Sequence, residues 1–228
     1  SNLFEDVFKS KALLLDLDIQ NQGELAKKVK QTPILLQNFL KGDRSSQVIQ
    51  LTDKPYGCVL FDESIIEGFF KSETQPTPFI IVDTGTPFHP WSLPCFAHSN
   101  LIALVVMQDL VVLERGKFIF DELLCRGFSK TQVCLILNRY NSSNLITPAA
   151  IEKYFGTQIV AIIPDNFDYE EQNKKDSQKI FGSSNGFNLK RILGKFIELV
   201  EKSTQDQNTT GFANKEEYFK NQAIVSNV

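Results

Sequence analysis

Apolar residues in this chain come in two arrangements. Short unbroken runs, with little polar alternation, occur at Ala12–Leu15, Phe79–Val82, Asn100–Met107, Gln132–Leu137 and Gln158–Ile163. Runs of this kind read as strands buried on both faces, as in a parallel sheet covered by helices. Between them the apolar residues repeat at helical spacing: Leu3–Lys11, Glu24–Lys30, Pro33–Lys41, Asp62–Lys71, Asp109–Gly127, Thr147–Gly156 and Asn188–Lys202. The last has Leu189, Ile192, Leu193, Phe196, Ile197 and Val200 on one stripe. Asp109 caps the start of its helix, and Pro148 stands at a first helical position. Gln47–Thr52 and Cys58–Phe61 read as further short strands, and Pro87–His98 as irregular because of its prolines. Strands alternating with helices predict an α/β fold: a mostly parallel sheet flanked by helices on both faces. One domain over residues 1–202 is expected, followed by a polar C-terminal tail over 203–228.

Composition narrows this picture only a little. The chain has 228 residues, 42% hydrophobic and 22% charged, with a net charge of −3. That balance gives no electrostatic basis for nucleic-acid binding. Cys58, Cys95, Cys125 and Cys134 include no C-x-x-C pair, so they are expected to be buried reduced thiols. His89 and His98 lie nine apart, which is not a metal-ligand spacing. No apolar run reaches the length of a membrane span, and no signal peptide opens the sequence. A cytoplasmic location is expected, with a peripheral seat at the inner face of the membrane as a second option.

Candidate chemistry gathers where the strands end. Asp16 and Asp18 follow the first run, Asp83 and Gly85 the second, Asn138 and Arg139 the fourth, Pro164 and Asp165 the fifth. In a parallel sheet the carboxyl ends share one rim, where open α/β folds bind ligands. Carboxylates there hold magnesium and orient water in phosphoryl-transfer sites, and a glycine lets backbone approach a phosphate. Any single Asp or Asn is better read as ending its strand by bonding nearby backbone. The ordered set is what points to function.

That set resembles a family. Leu15-Asp16-Leu17-Asp18-Ile19-Gln20 looks like the D-x-D-x-Q segment of the ParA/MinD group of deviant Walker-A P-loop ATPases. Ile80 to Gly85 looks like their Walker-B strand and second switch, Leu135 to Arg139 like the strand whose Asn contacts adenine, and Val160 to Asp165 like the next strand and its base-bordering loop. The match runs from about Leu3 to Lys202. The D-L-D-I-Q wording and the I-P-D-N loop are most similar to the CpaE/TadZ kind, which position pilus-assembly and secretion machinery. The resemblance implies that Asp18 positions the attacking water with Asp16 as its partner. It implies that Asp83 binds magnesium and Gly85 senses the γ-phosphate. Asn138 would read adenine, with Arg139, Pro164 and Asp165 lining the pocket. It also implies a dimer.

The departure from the family is as specific as the match. Its P-loop, K-G-G-x-x-G-K-[ST], is missing from the sequence; Gly116-Lys117 precedes Phe118 in a helical pattern and has no neighbouring glycines. That loop supplies most of the phosphate binding. The expectation is therefore a degenerate, P-loop NTPase-like domain that serves as a non-catalytic localisation or scaffold factor, with vestigial acids and no cofactor. One alternative is a fragment of an active ATPase using Mg-ATP, whose P-loop lies upstream or in another chain. Another is an α/β enzyme acting on a different phosphorylated substrate. In the family the P-loop strand lies between those equivalent to Phe79–Asp83 and Leu101–Val106. Direct pairing of these two, or insertion of Gln47–Phe61 or a partner chain, is preferred to an upstream strand. A homodimer and pilus or secretion proteins are the expected partners. Membrane contact through Asn188–Lys202 is not favoured over packing of that helix on the sheet. An exposed edge position for Ile80–Asp83, or antiparallel pairing with Leu13–Asp18, would count against the whole reading.

Overall fold

The computed structural model describes residues 12–18, 26–27, 30–52, 63–72, 79–85, 92–165 and 198. The chain divides into two compact units, residues 1–99 and 100–228. Both are α/β, with parallel strands and helices between them.

In the first unit the strands are β1 (Ala12–Asp16), β2 (Ile34–Leu35), β3 (Val48–Gln50) and β4 (Phe79–Asp83), and the helices are α1 (Leu36–Leu40), α2 (Glu63–Ser72) and α3 (Ser92–His98). The sheet order is β2-β3-β1-β4, every pair parallel. The run Leu13-Leu14-Leu15 is apolar throughout because β1 is covered on both faces. Leu15 and Leu17 join Leu36, Phe39, Ile49, Ile66, Phe69 and Cys95 in one cluster, and Leu14 packs with Ala26, Val48 and Ile81 in another. The pattern at Pro33–Lys41 resolves into two elements rather than one helix. Ile34 and Leu35 are extended and pair with Ile49 and Gln50 before α1 begins. β-Branched Ile34 gains more from sheet pairing than from a helix here.

Two expectations about β4 are corrected. As expected, it is parallel to β1, in register from Ala12↔Phe79 to Asp16↔Asp83. Yet it is the terminal strand of its sheet among the described residues, the position that counts against the sequence reading, although Ile80, Ile81 and Val82 are half-buried rather than either enclosed or fully exposed. A terminal strand has a neighbour along one edge only, so its side chains gain less cover than those of β1. Among the described residues β4 pairs with β1 and β5 with β6, and direct β4–β5 pairing, one of the arrangements left open by the sequence, is not among these ladders. Val48–Gln50 pairs with β1 on the side away from β4, so this part of Gln47–Phe61 does not lie beside β4 either. Cys58–Phe61, Leu3–Lys11 and His89 lie outside the described residues. The Pro-containing stretch yields α3, with Pro94 in its first turn where the missing N–H costs nothing.

In the second unit β5 (Ile102–Val106), α4 (Leu110–Cys125), β6 (Val133–Tyr140), α5 (Pro148–Phe155) and β7 (Ile159–Pro164) follow in sequence, with parallel sheet order β5-β6-β7. The boundaries are set by local chemistry. Asp109 Oδ1 accepts from the Val112 N–H at 3.0 Å, and Thr147 Oγ1 from the Ala150 N–H at 3.2 Å. Gly156 ends α5 in the left-handed conformation, φ 67°. Gly116, in the middle of α4, is where the helix meets β5. A Cβ there would stand 2.8 Å from Val106 Cγ1 and 3.4 Å from Phe155 Cζ. Phe120 and Phe155 complete the contact edge to face, with centroids 5.7 Å apart. Val133 to Leu137 of β6 are all buried. The stripe at Asn188–Lys202 and the tail over 203–228 lie outside the described residues except for Glu198, which is helical and exposed. Among the described residues no helix is long and apolar enough to cross a membrane.

Candidate functional site

The carboxyl end of the first sheet brings together Asp16, Asp18, Asp83 and Gly85. β1 and β4 are in register, so Asp16 and Asp83 stand side by side, with Gln50 of β3 on the other flank of Asp16. Each acid closes the same small turn. Asp16 Oδ1 accepts from the Asp18 N–H at 3.1 Å, and Asp83 Oδ1 from the Gly85 N–H at 3.1 Å. These are Asx turns two residues long. The Leu17 N–H donates to the Asp83 carbonyl at 2.8 Å and the Leu51 N–H to the Asp16 carbonyl at 3.1 Å, so the ladder runs to the end of both strands. Gly85 has φ 58°, and a Cβ on it would lie 2.9 Å from Asp18 Cα, Cβ and Cγ. The loop after β4 is thus folded tightly onto the loop after β1, and glycine is needed there for both conformation and space.

The two carboxylates differ sharply in environment. Asp83 is exposed, while Asp16 is only 4 % exposed and its Oδ2 has no hydrogen-bond partner. Burial pushes the Asp16 carboxyl up to about 6, and the charges of Asp83 and Asp18 push the same way. The Asp18 N–H and the Gln50 side chain oppose this without offsetting it. Gln50 is a member of the site that sequence reading passed over. Its signal was a polar residue ending an apolar stretch, as weak as that of any strand end.

The second unit brings together Asn138, Arg139, Pro164 and Asp165 at the carboxyl ends of β6 and β7. Pairing runs Leu137↔Ile162 and then Tyr140↔Pro164, so Asn138 and Arg139 oppose the single residue Ile163. Arg139 absorbs the extra residue with φ 53°. Asn138 is half-buried, Arg139 and Asp165 are exposed, and the Asp165 N–H donates to the Tyr140 carbonyl at 3.0 Å. Gln108, just past β5, was also missed by sequence reading. Its Oε1 accepts from the Asn141 N–H at 2.7 Å, its Nε2 donates to the Ile146 carbonyl at 2.6 Å, and its own carbonyl accepts from Asn144 Nδ2 at 3.0 Å.

Among the described residues no three His, Cys, Asp or Glu side chains are grouped closely enough to hold a metal ion. Asp16 and Asp83 therefore offer a buried acid and a surface acid beside it, each with one oxygen committed to its own turn. They do not form a ready magnesium cage, which takes oxygen ligands at near-octahedral geometry. Cys95 and Cys134 are buried, and burial pushes their thiols up to about 12, so they are poor nucleophiles. Cys125, expected to be buried, is exposed.

No protein-family model matches the chain, and no curated protein matches it. Solved structures do. A ParA family ATPase from Chlorobium tepidum TLS superposes with TM-score 0.62 at 18% identity, over 88% of this chain and 90% of that one. The Pyrococcus furiosus cell division ATPase MinD gives 0.63 at 19%, over 84% and 87%. The fold is that of the ParA and MinD ATPases. The MinC:MinD cell division complex of Aquifex aeolicus matches as well, with TM-score 0.57 at 13% identity over 84% and 85%. Identities this low extend the likeness to architecture alone. Within it, the D-x-D and D-T-G segments end neighbouring parallel strands.

Proposed function

We propose that this ParA/MinD-like domain is a non-catalytic localisation or scaffold factor, working as a homodimer in the positioning of pilus-assembly or secretion machinery. The observation that carries the reading is the commitment of Asp16 and Asp83 to their own Asx turns, beside a sequence with no P-loop. No P-loop motif among these 228 residues offers a lysine and backbone N–H groups to cradle a triphosphate, and carboxylates alone on this rim repel it. Asp18, Asp16 and Asp83 are remnants of the catalytic and magnesium positions, and Gly85, Asn138, Arg139, Pro164 and Asp165 of the nucleotide pocket. The D-L-D-I-Q and I-P-D-N wording supports the CpaE/TadZ-like branch. The MinC:MinD complex illustrates a protein of this fold bound to a protein partner.

Isothermal titration with Mg-ATP, paired with a phosphate-release assay, tests this. The expected result is no turnover and no heat of binding at millimolar nucleotide. Micromolar binding with turnover would replace the reading by an active Mg-ATPase. Deletion in the native host, scored for surface pili and secreted protein, tests the cellular role.

A further inference from the structure

The two ends of the first sheet carry opposite charge. Asp16, Asp18 and Asp83 gather at the carboxyl ends of the strands, with no cation beside them among the described residues. The segments that enter β2 and β3 lie at the other end, because the strands are parallel. They expose Lys27 and Lys30 before β2, and Lys41 and Arg44 before β3. The two segments touch: Gln31 Nε2 donates to Gln47 Oε1 at 3.4 Å. Among their described residues the acid is Asp43, whose Oδ1 accepts from the Ser45 N–H at 2.9 Å. Lys71, in the last turn of α2, is balanced by Glu67 at 3.5 Å.

Lysines at helix ends suit the helix dipole, which accounts for Lys41 beside α1. Lys30 and Arg44 are held by more than that. Lys30 has φ 53°, a conformation that is strained for a residue with a Cβ. The Arg44 guanidinium lies 3.7 Å over the Phe39 ring, and its Nη1 donates to the Phe39 carbonyl at 2.5 Å. A cation fixed in this way has little further freedom to lose on binding, and its charge selects an anionic partner. Nucleic-acid bases would need an exposed aromatic to stack on, but Phe39 is buried beneath Arg44. A membrane surface would be joined by apolar anchors, yet every exposed large apolar side chain among the described residues lies in the second unit. An extended polyanion of either kind also spreads over neighbouring surface of a chain whose net charge is −3, which a short acidic segment does not. We propose that Lys30, Lys41 and Arg44 form a docking rim for an acidic segment of a protein partner. Carboxylates of that segment meet the two lysines and the planar fork of Arg44. This assignment deepens the scaffold reading above and rests on it for the existence of such a partner.

Fluorescence anisotropy on the whole chain decides it, with a fluorescein-labelled Glu/Ser repeat peptide as the probe at low and physiological salt. The variants are Lys30→Glu with Lys41→Glu, the milder Lys30→Gln with Lys41→Gln, and a control pair on the second unit, Arg115→Glu with Lys153→Glu. All four positions are exposed, so circular dichroism should report unchanged folds. The wild type is expected to bind the peptide, more weakly as salt rises. The rim reversal should lose about 10-fold or more in affinity, the neutral pair less, and the control pair nothing comparable. Peptide binding that rim and control pairs reduce alike, or that neither reduces, overturns the rim. No binding even at low salt overturns the rim and leaves the scaffold reading standing. Mg-ATP turnover with peptide binding at the rim intact overturns the scaffold reading alone. Tighter binding of the same rim to phosphatidylcholine–phosphatidylglycerol vesicles, or to duplex DNA, overturns the acidic-segment assignment in favour of that surface.

Discussion

Replacing Asp16 by Asn isolates the cost of one buried charge. The carboxyl sits at about 6 in the folded chain against 3.8 in its ordinary state. Well below pH 4 it is protonated folded or unfolded, and it contributes nothing. Between pH 4 and 6 the unfolded chain releases this proton while the folded chain keeps it. Folded stability therefore falls as pH rises through this window, and the loss is complete above 6. At about 1.4 kcal/mol per pH unit the gap amounts to about 3 kcal/mol. Asparagine retains the Oδ1 that accepts from the Asp18 N–H and carries no charge. Urea unfolding at pH 7.5 should show the variant more stable by up to about 3 kcal/mol, with the advantage vanishing near pH 4. Burial is the leading cause, with exposed Asp83 only a contributor, so high salt should remove little of the difference. A variant less stable than wild type at pH 7.5, or a difference that does not change with pH, would refute the reasoning. It would mean that Asp16 is stabilised by ionisation, as a bound cation would do.

Gly116→Ala should destabilise the second unit by about 1–3 kcal/mol through overpacking of α4 on β5. Thermal unfolding should show the loss largely restored by adding Val106→Ala, because Val106 Cγ1 is the atom at 2.8 Å; an additive double mutant would exclude that contact as the cause. Gln108→Leu keeps the volume but strands the Asn141 N–H and the Ile146 carbonyl. A cost of about 2–4 kcal/mol is expected, and faster amide exchange confined to residues 141–146 would locate it.

How far the sequence reaches depends on the range of the force involved. Helix boundaries were legible because caps act over three or four residues: Asp109, Thr147-Pro148 and Gly156 end or begin helices as their neighbours alone dictate. Parallel strands were legible as apolar runs, since cover on both faces leaves no polar alternation. The sequence by itself also placed an acid or amide at the end of β1, β4 and β6, and with that the likeness to the ParA/MinD fold. It could not rank those acids. Asp16 and Asp83 close identical two-residue turns and stand in register, yet one is buried with its proton held tightly and the other is in water. Only the sheet order separates them. β1 has β3 and β4 on its two edges, and its faces are filled by residues as distant as Phe69 and Cys95, whereas β4 stands last among the described strands. The Gln108 grip on residues more than thirty positions away was hidden for the same reason. Local propensity decides what each segment becomes, and long-range packing decides which of its polar groups lose their water.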